Sequence, residues 1–198
     1  LARAGGNITG LTRLQGELSG KRLELLKETI PRLARVAVLR DAESPSAVTA
    51  FKQYESAAHV LKLQLQSFGV VGGKPDLDGA LQDAAARRAN ALITVTNPNI
   101  LRNQERVAEL ALRHRLPSMF EGSTWVEAGG LMSYSTNDLE IYRRAATYVD
   151  RILKGAKPAD LPVEQPTRYE MVINLKTAKQ IGVNIPPNLL ARADRVIR

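Results

Sequence analysis

The chain has no cysteine and only two histidines in 198 residues. Disulfides, thiolate nucleophiles and cysteine-bound metals are therefore excluded. His59 and His114 fall on separate expected helices, so neither a nucleophile–base dyad nor a metal cluster at ligand spacing forms. Freedom from cysteine suits an exported chain and a cytoplasmic one equally. No apolar run reaches the eighteen residues that a membrane-spanning helix needs. Leu1 to Gly6 shows no charged region leading into an apolar core, so a signal peptide is not in this chain, and a processed or truncated exported protein reads the same way. No G-x-S-x-G, no P-loop and no G-x-G-x-x-G after a strand occurs. The expectation is a protein that is not an enzyme and carries no cofactor or metal.

Aromatic residues are also sparse, at 5%, although the formal net charge is +8. The basic residues are dispersed in short groups such as Lys21-Arg22, Arg87-Arg88, Arg113 with Arg115, and Arg143-Arg144. No run of five occurs, and few aromatics stand beside them to stack on bases, so they read as solvated helix faces and not as a nucleic-acid footprint.

What the chain does have is 44% hydrophobic content in alternating strand-like and helix-like segments. Leu23, Leu26, Ile30 and Leu33 recur at helical spacing, and Lys21, Arg22, Glu24, Lys27 and Glu28 fill the other face, which predicts a helix over about 19–30. Pro31 ends it. The apolar run 35–40 reads as a buried parallel strand. Ser44 then offers a cap, with Pro45 at the first helical position, for a helix striped by Val48, Phe51, Tyr54, Ala58 and Leu61. The alternation continues with strand 63–70, helix 77–88, strand 91–96, helix 100–114, strand 117–120, a short helix 123–127 and strand 131–134. Strands separated by helices imply right-handed crossovers. The fold class is α/β, a doubly wound parallel sheet of order 2-1-3-4-5. Gly72-Gly73 and Gly129-Gly130 are turn material.

Beyond this the pattern changes. Ile141, Ala145, Tyr148, Val149, Ile152 and Leu153 form a long apolar stripe closed by Gly155 and Pro158. A proline-rich connector (157–166), a strand candidate (169–175) and a helix after Pro186-Pro187 complete the chain. Left uncovered, the stripe would drive association, so a homodimer or segment exchange through the tail is expected.

Several segments together carry a resemblance. They are Gly5-Gly6-Asn7-Ile8-Thr9-Gly10-Leu11, Gly20-Lys21-Arg22-Leu23-Glu24-Leu25-Leu26-Lys27, Gly129-Gly130-Leu131-Met132-Ser133-Tyr134, the run from Ile152 to Pro166, and Asn174-Leu175-Lys176-Thr177-Ala178-Lys179 with Gly182 and Ile185-Pro186-Pro187. Nearly the whole chain resembles the ABC transporter substrate-binding proteins of the tryptophan/tyrosine-type group. The resemblance implies a type I periplasmic-binding-protein fold and a periplasmic or extracellular receptor, lipid-anchored or soluble. Its partners would be ABC permease subunits, and its ligand a small organic solute, an aromatic or branched amino acid by preference, gripped between two lobes. Members usually carry about a hundred more residues upstream. On that pattern residues 1–16 are a remnant of lobe one with the first crossing, 17–132 are lobe two, and 133–198 return to lobe one with the tail. A ligand-sensing regulatory domain of the same fold is the alternative.

In open α/β sheets, ligands bind outside the carboxyl ends of the strands, where helix N-termini present unpaired N–H groups. Ser44 and Ser46 follow the first strand and offer hydroxyls and amides to a carboxylate, or else simply cap the helix. Thr96 and Asn97 end the third strand ahead of Pro98. Phe120 and Glu121 end the fourth; the first would stack on an apolar side chain and the second meet an ammonium group, or they are a core aromatic beside a surface acid. Ser133 and Tyr134 lie where the chain recrosses between lobes, with a tyrosine packed under the hinge as the plainer alternative. Trp125 either reports closure or fills a gap between helix and sheet.

Overall fold

The computed structural model describes residues 6–72 and 75–198. The opening to Gly5, and the Gly73 half of the expected Gly72-Gly73 turn, lie outside them. The chain divides into two compact units, one of residues 1–15 with 136–169 and the other of residues 16–135 with 170–198.

The second unit carries the sheet. Its strands are β1 (Arg35–Asp41), β2 (Gln64–Val70), β3 (Ala91–Thr94), β4 (Ser118–Phe120), β5 (Met132–Thr136), β6 (Tyr169–Asn174) and β7 (Arg195–Ile197), in spatial order β2-β1-β3-β4-β5-β6-β7. β1 pairs parallel with β2 and β3, β3 with β4, β4 with β5, and β6 with β7. The order 2-1-3-4-5 read from the alternation is thus the observed one. Every residue of β3 is buried, as a central strand covered on both faces requires.

The helices are α1 (Ser19–Thr29), α2 (Pro45–Leu61), α3 (Leu77–Ala86), α4 (Pro98–Leu101), α5 (Gln104–Arg113), α6 (Ser123–Glu127), α7 (Asp138–Leu153), α8 (Leu175–Ile181) and α9 (Pro187–Leu190). Alternation along β1 and β3 splits the core in two. Val36, Val38, Ala91 and Ile93 pack with Leu23, Leu26, Tyr54 and Ala58 of α1 and α2. Ala37, Leu39 and Leu92 pack with Leu81, Val107, Leu110 and Trp125 of α3, α5 and α6.

Four details depart from the sequence reading. The single helix expected over 100–114 is two, α4 and α5, because the Asn103 side chain donates to the Asn99 carbonyl (2.8 Å) and makes no cap bond to α5. Residues 170–198, expected with the return segment, add β6 and β7 to the sheet of the second unit. Between them α8 was not foreseen, although Asn174 caps it by accepting the Thr177 N–H (3.1 Å) and Gly182 closes it at φ +76°. Arg22, assigned to the solvent face of the first helix, is fully buried.

In the first unit, Leu11 bridges Glu164 in parallel, with the Thr12 N–H donating to the Glu164 carbonyl (2.9 Å) and the Glu164 N–H to Gly10 (3.1 Å). The Tyr148 hydroxyl donates to the Pro162 carbonyl (2.7 Å), and Arg144 grips Glu164 through two nitrogens. α7 is therefore partly covered by its own unit: Tyr148 is buried, and Ile141, Ala145 and Ile152 are half-buried. The exposed apolar residues of α7 are Leu139, Tyr142, Val149 and Leu153, a stripe that keeps Val149 and Leu153 of the one read in the sequence and replaces its covered members by Leu139 and Tyr142.

Candidate functional site

The eight candidate residues lie in the second unit, at or beyond the carboxyl ends of β1, β3 and β4 and on β5. Ser44 caps α2, its Oγ accepting the Ala47 N–H at 3.4 Å, and the Ser44 and Ser46 hydroxyls lie 2.9 Å apart. Ser46 is exposed and Ser44 half-buried. Pro45 has no N–H to satisfy at the first turn, so the seventeen-residue helix begins there, with three residues between it and the end of β1.

Asn97 is locked at both ends of its amide. Its Oδ1 accepts the Ile100 N–H (2.9 Å), capping α4, and its Nδ2 donates to Asp41 (2.7 Å). Asn99 donates to the same Asp41 oxygen (2.9 Å), and the Glu43 N–H to the other (2.9 Å). Asp41, buried at the end of β1, thus ties the β1 and β3 loops together. The amides of Asn99 and Asn97, with the Glu43 N–H, hold its carboxyl below the usual carboxylate range.

Glu121 is the centre of a second network. Its Oε1 accepts from Arg22 Nη1 (3.3 Å) and from the Tyr54 hydroxyl (3.4 Å), and its Oε2 accepts the Thr96 N–H (2.8 Å). Arg22 Nη1 also donates to Tyr54 (3.2 Å), and Arg22 Nε to the Tyr134 carbonyl (2.8 Å). Burial by itself would lower the Arg22 pKa, but Tyr54 and Glu121 outweigh it and hold the guanidinium charged.

Phe120 is fully buried against Trp125 in the core, which matches its reading as a core aromatic. Trp125 fills the space between helix and sheet. Ser133 is also fully buried, whereas Tyr134 keeps part of its surface exposed. The candidates with accessible surface are therefore Ser44, Ser46, Thr96 and Asn97 beyond strand ends and Tyr134 in the middle of β5, with Glu121 nearly covered at 10% side-chain exposure.

Sequence reasoning missed Asp41, Asn99, Arg22 and Tyr54. Asp41 ends an apolar strand, a position that could have drawn notice. Arg22 carried a weaker signal: it shares a helix face with Leu26 four residues on, amid a run of leucines. Among the described residues no group of three or more His, Cys, Asp or Glu is placed to hold a metal, and no helix is long and apolar enough to cross a membrane.

The chain is similar to several solved structures. A conserved domain protein from Vibrio cholerae is 25% identical with a TM-score of 0.87, over 96% of this chain and 63% of that one. An ABC domain from Streptococcus pneumonia in complex with L-Trp is 24% identical with a TM-score of 0.86, over 98% of this chain and 66% of that one. A LacI family transcriptional regulator from Bifidobacterium animalis is 16% identical with a TM-score of 0.59, over 83% of this chain and 62% of that one. This chain thus spans somewhat under two thirds of each of these structures. No curated protein matches it. The family model for ABC transporter substrate binding proteins matches residues 1–197. With that match over almost its full length, and the doubly wound parallel sheet that the L-Trp complex shares, the chain belongs to the ABC transporter substrate binding protein family.

Proposed function

We propose that this chain is the solute-capturing component of an ABC importer, working outside the cytoplasm with permease subunits, and that its solute is an amino acid with an aromatic or branched side chain. The observation that carries this reading is the set of polar groups at the carboxyl edge of the sheet. The hydroxyls of Ser44 and Ser46 stand at the start of α2, which follows β1, and the Thr96–Asn97 turn follows β3, the strand paired with β1. The start of a long helix favours an anion such as a solute carboxylate. Tyr134, half-exposed on β5, offers an aromatic surface for an apolar side chain. The L-Trp bound by the pneumococcal neighbour supports the same class.

Thermal shift against a panel of amino acids, sugars and aromatic acids tests the proposal. A solute at a hundred times its Kd should raise the unfolding midpoint by roughly 5–10 °C, the linkage expected for a domain of this size. L-tryptophan, L-tyrosine or L-leucine should do so; stabilisation by a sugar alone would sink the amino-acid assignment. The same proposal includes self-association through the exposed residues of α7, which light scattering across a concentration series would reveal as a dimer and a strictly monomeric species would refute.

The likeness to a LacI family regulator favours a second reading, a ligand-sensing regulatory domain. Permease and ATPase genes beside the coding sequence support transport. A neighbourhood without them, next to the operon that the protein regulates, supports sensing.

A further inference from the structure

Arg22 has no exposed side-chain surface, yet it lies on the helix whose neighbours Lys21 and Glu24 are in solvent. A buried guanidinium persists only where its charge and its donors are met. Here Nη1 meets Glu121 and Tyr54 and Nε meets the Tyr134 carbonyl, so one side chain reaches the end of β4, the middle of β5 and the inner face of α2. Glu121 carries the connection to β3 through the Thr96 N–H. Four segments distant in sequence are thus joined to α1 near the strand ends where the proposed solute contacts lie.

The charges matter as much as the geometry. Glu121 and Arg22 form an ion pair with side-chain exposures of 10% and 0%. The carboxylate is thereby matched inside the protein, and three of its acceptor positions are occupied by Arg22, Tyr54 and Thr96. An incoming ammonium group would meet a neutral pair in place of a free negative charge.

We propose that Arg22 is a positioning residue of the solute site: through Glu121 it holds the Thr96–Asn97 turn, and through the Tyr134 carbonyl it holds the middle of β5, while Glu121 serves as its internal counter-ion and not as the partner of a solute ammonium. The inference rests on the solute reading above only for where the solute sits. It changes what Glu121 selects for, because a positioning carboxylate favours amino and des-amino solutes alike.

Two measurements test it on the whole chain. The first needs no solute: amide hydrogen exchange at Thr96, compared with Val38 in the centre of the sheet. Arg22→Lys, Tyr54→Phe and Glu121→Gln should each speed exchange at Thr96 while leaving Val38 unchanged; a merely structural loss would speed both, and no change at Thr96 would overturn the proposal. The second compares L-tryptophan with indole-3-propionate, which keeps ring and carboxylate and lacks the ammonium. Glu121→Gln should weaken both by a similar factor, about tenfold for the loss of a charge-assisted contact. Arg22→Lys should retain more affinity than Arg22→Met, and if the methionine variant does not fold, Tyr54→Phe takes its place with the smaller loss. A loss for L-tryptophan at least about tenfold greater than for indole-3-propionate makes Glu121 the ammonium partner and overturns the inference. If the unaltered protein binds neither probe, tryptophan is not its solute, and the exchange measurement by itself decides the role of Arg22.

Discussion

Phe120 and Trp125 stack with ring centroids 4.7 Å apart and planes 8° from parallel. The pair closes the core beneath the carboxyl end of β4, and Gly130 passes against it. A Cβ on Gly130 would come within 2.7 Å of the Phe120 ring and 2.8 Å of the Trp125 carbonyl. The glycine is there for close approach, not only for a turn.

We expect Phe120→Ala to cost about 3–5 kcal/mol, the range for emptying an aromatic site in a packed core. Gly130→Ala should cost about 1–3 kcal/mol by overpacking the same place. Urea unfolding measures both. Trp125, the single tryptophan, should emit as a buried indole and shift to the red in Phe120→Ala. A red-shifted emission from the unaltered protein would contradict the stacked pair.

A second expectation concerns alkaline pH. Burial pushes the Tyr54 hydroxyl up from its ordinary value near 10 to about 12, with Arg22 opposing the rise and Glu121 adding to it. The folded pKa lies above the unfolded one. This contribution to stability is therefore fully present below the ordinary tyrosine pKa and is lost as pH rises through the folded value. Tyr54→Phe should flatten the decline in stability between about pH 10 and pH 12, since phenylalanine has no proton to release. Unfolding curves across that interval check it; an unchanged decline would count against Tyr54 as its source.

A third expectation runs the other way. The Asp41 carboxyl is held below the usual range by Asn99, Asn97 and the Glu43 N–H. Its contribution is present above the unfolded carboxylate pKa and is lost as pH falls through the lower folded value. Asp41→Asn should destabilise the protein at about pH 7, and the gap should narrow as pH falls below the ordinary carboxylate pKa of about 4 and through the lower folded value. Unfolding midpoints for the two proteins across that range decide the matter: a gap of constant size would assign the loss to packing alone.

Much of the fold was legible in the sequence because its signals are local. The alternation of short apolar runs with helical stripes, punctuated by Ser44-Pro45 and Pro98, set down β1 to β5 and the helices between them. Right-handed crossovers then restricted their order. The strand ends followed, and with them Ser44, Ser46, Thr96 and Asn97.

What only the tertiary structure decided depends on residues far apart in the chain. The tail strand at Tyr169–Asn174 looks the same whether it joins one sheet or another, and a hydrogen bond from the Asn174 N–H to the Leu131 carbonyl (2.8 Å) places it beside β5. Arg22 reads as a solvated cation next to Lys21 until Tyr54, 32 residues away, and Glu121, 99 residues away, are brought around it. Periodicity reports which face of a helix is apolar on average. It does not report that one charge on that face will be matched by another arriving from a distant strand, because that match exists only once the chain has folded.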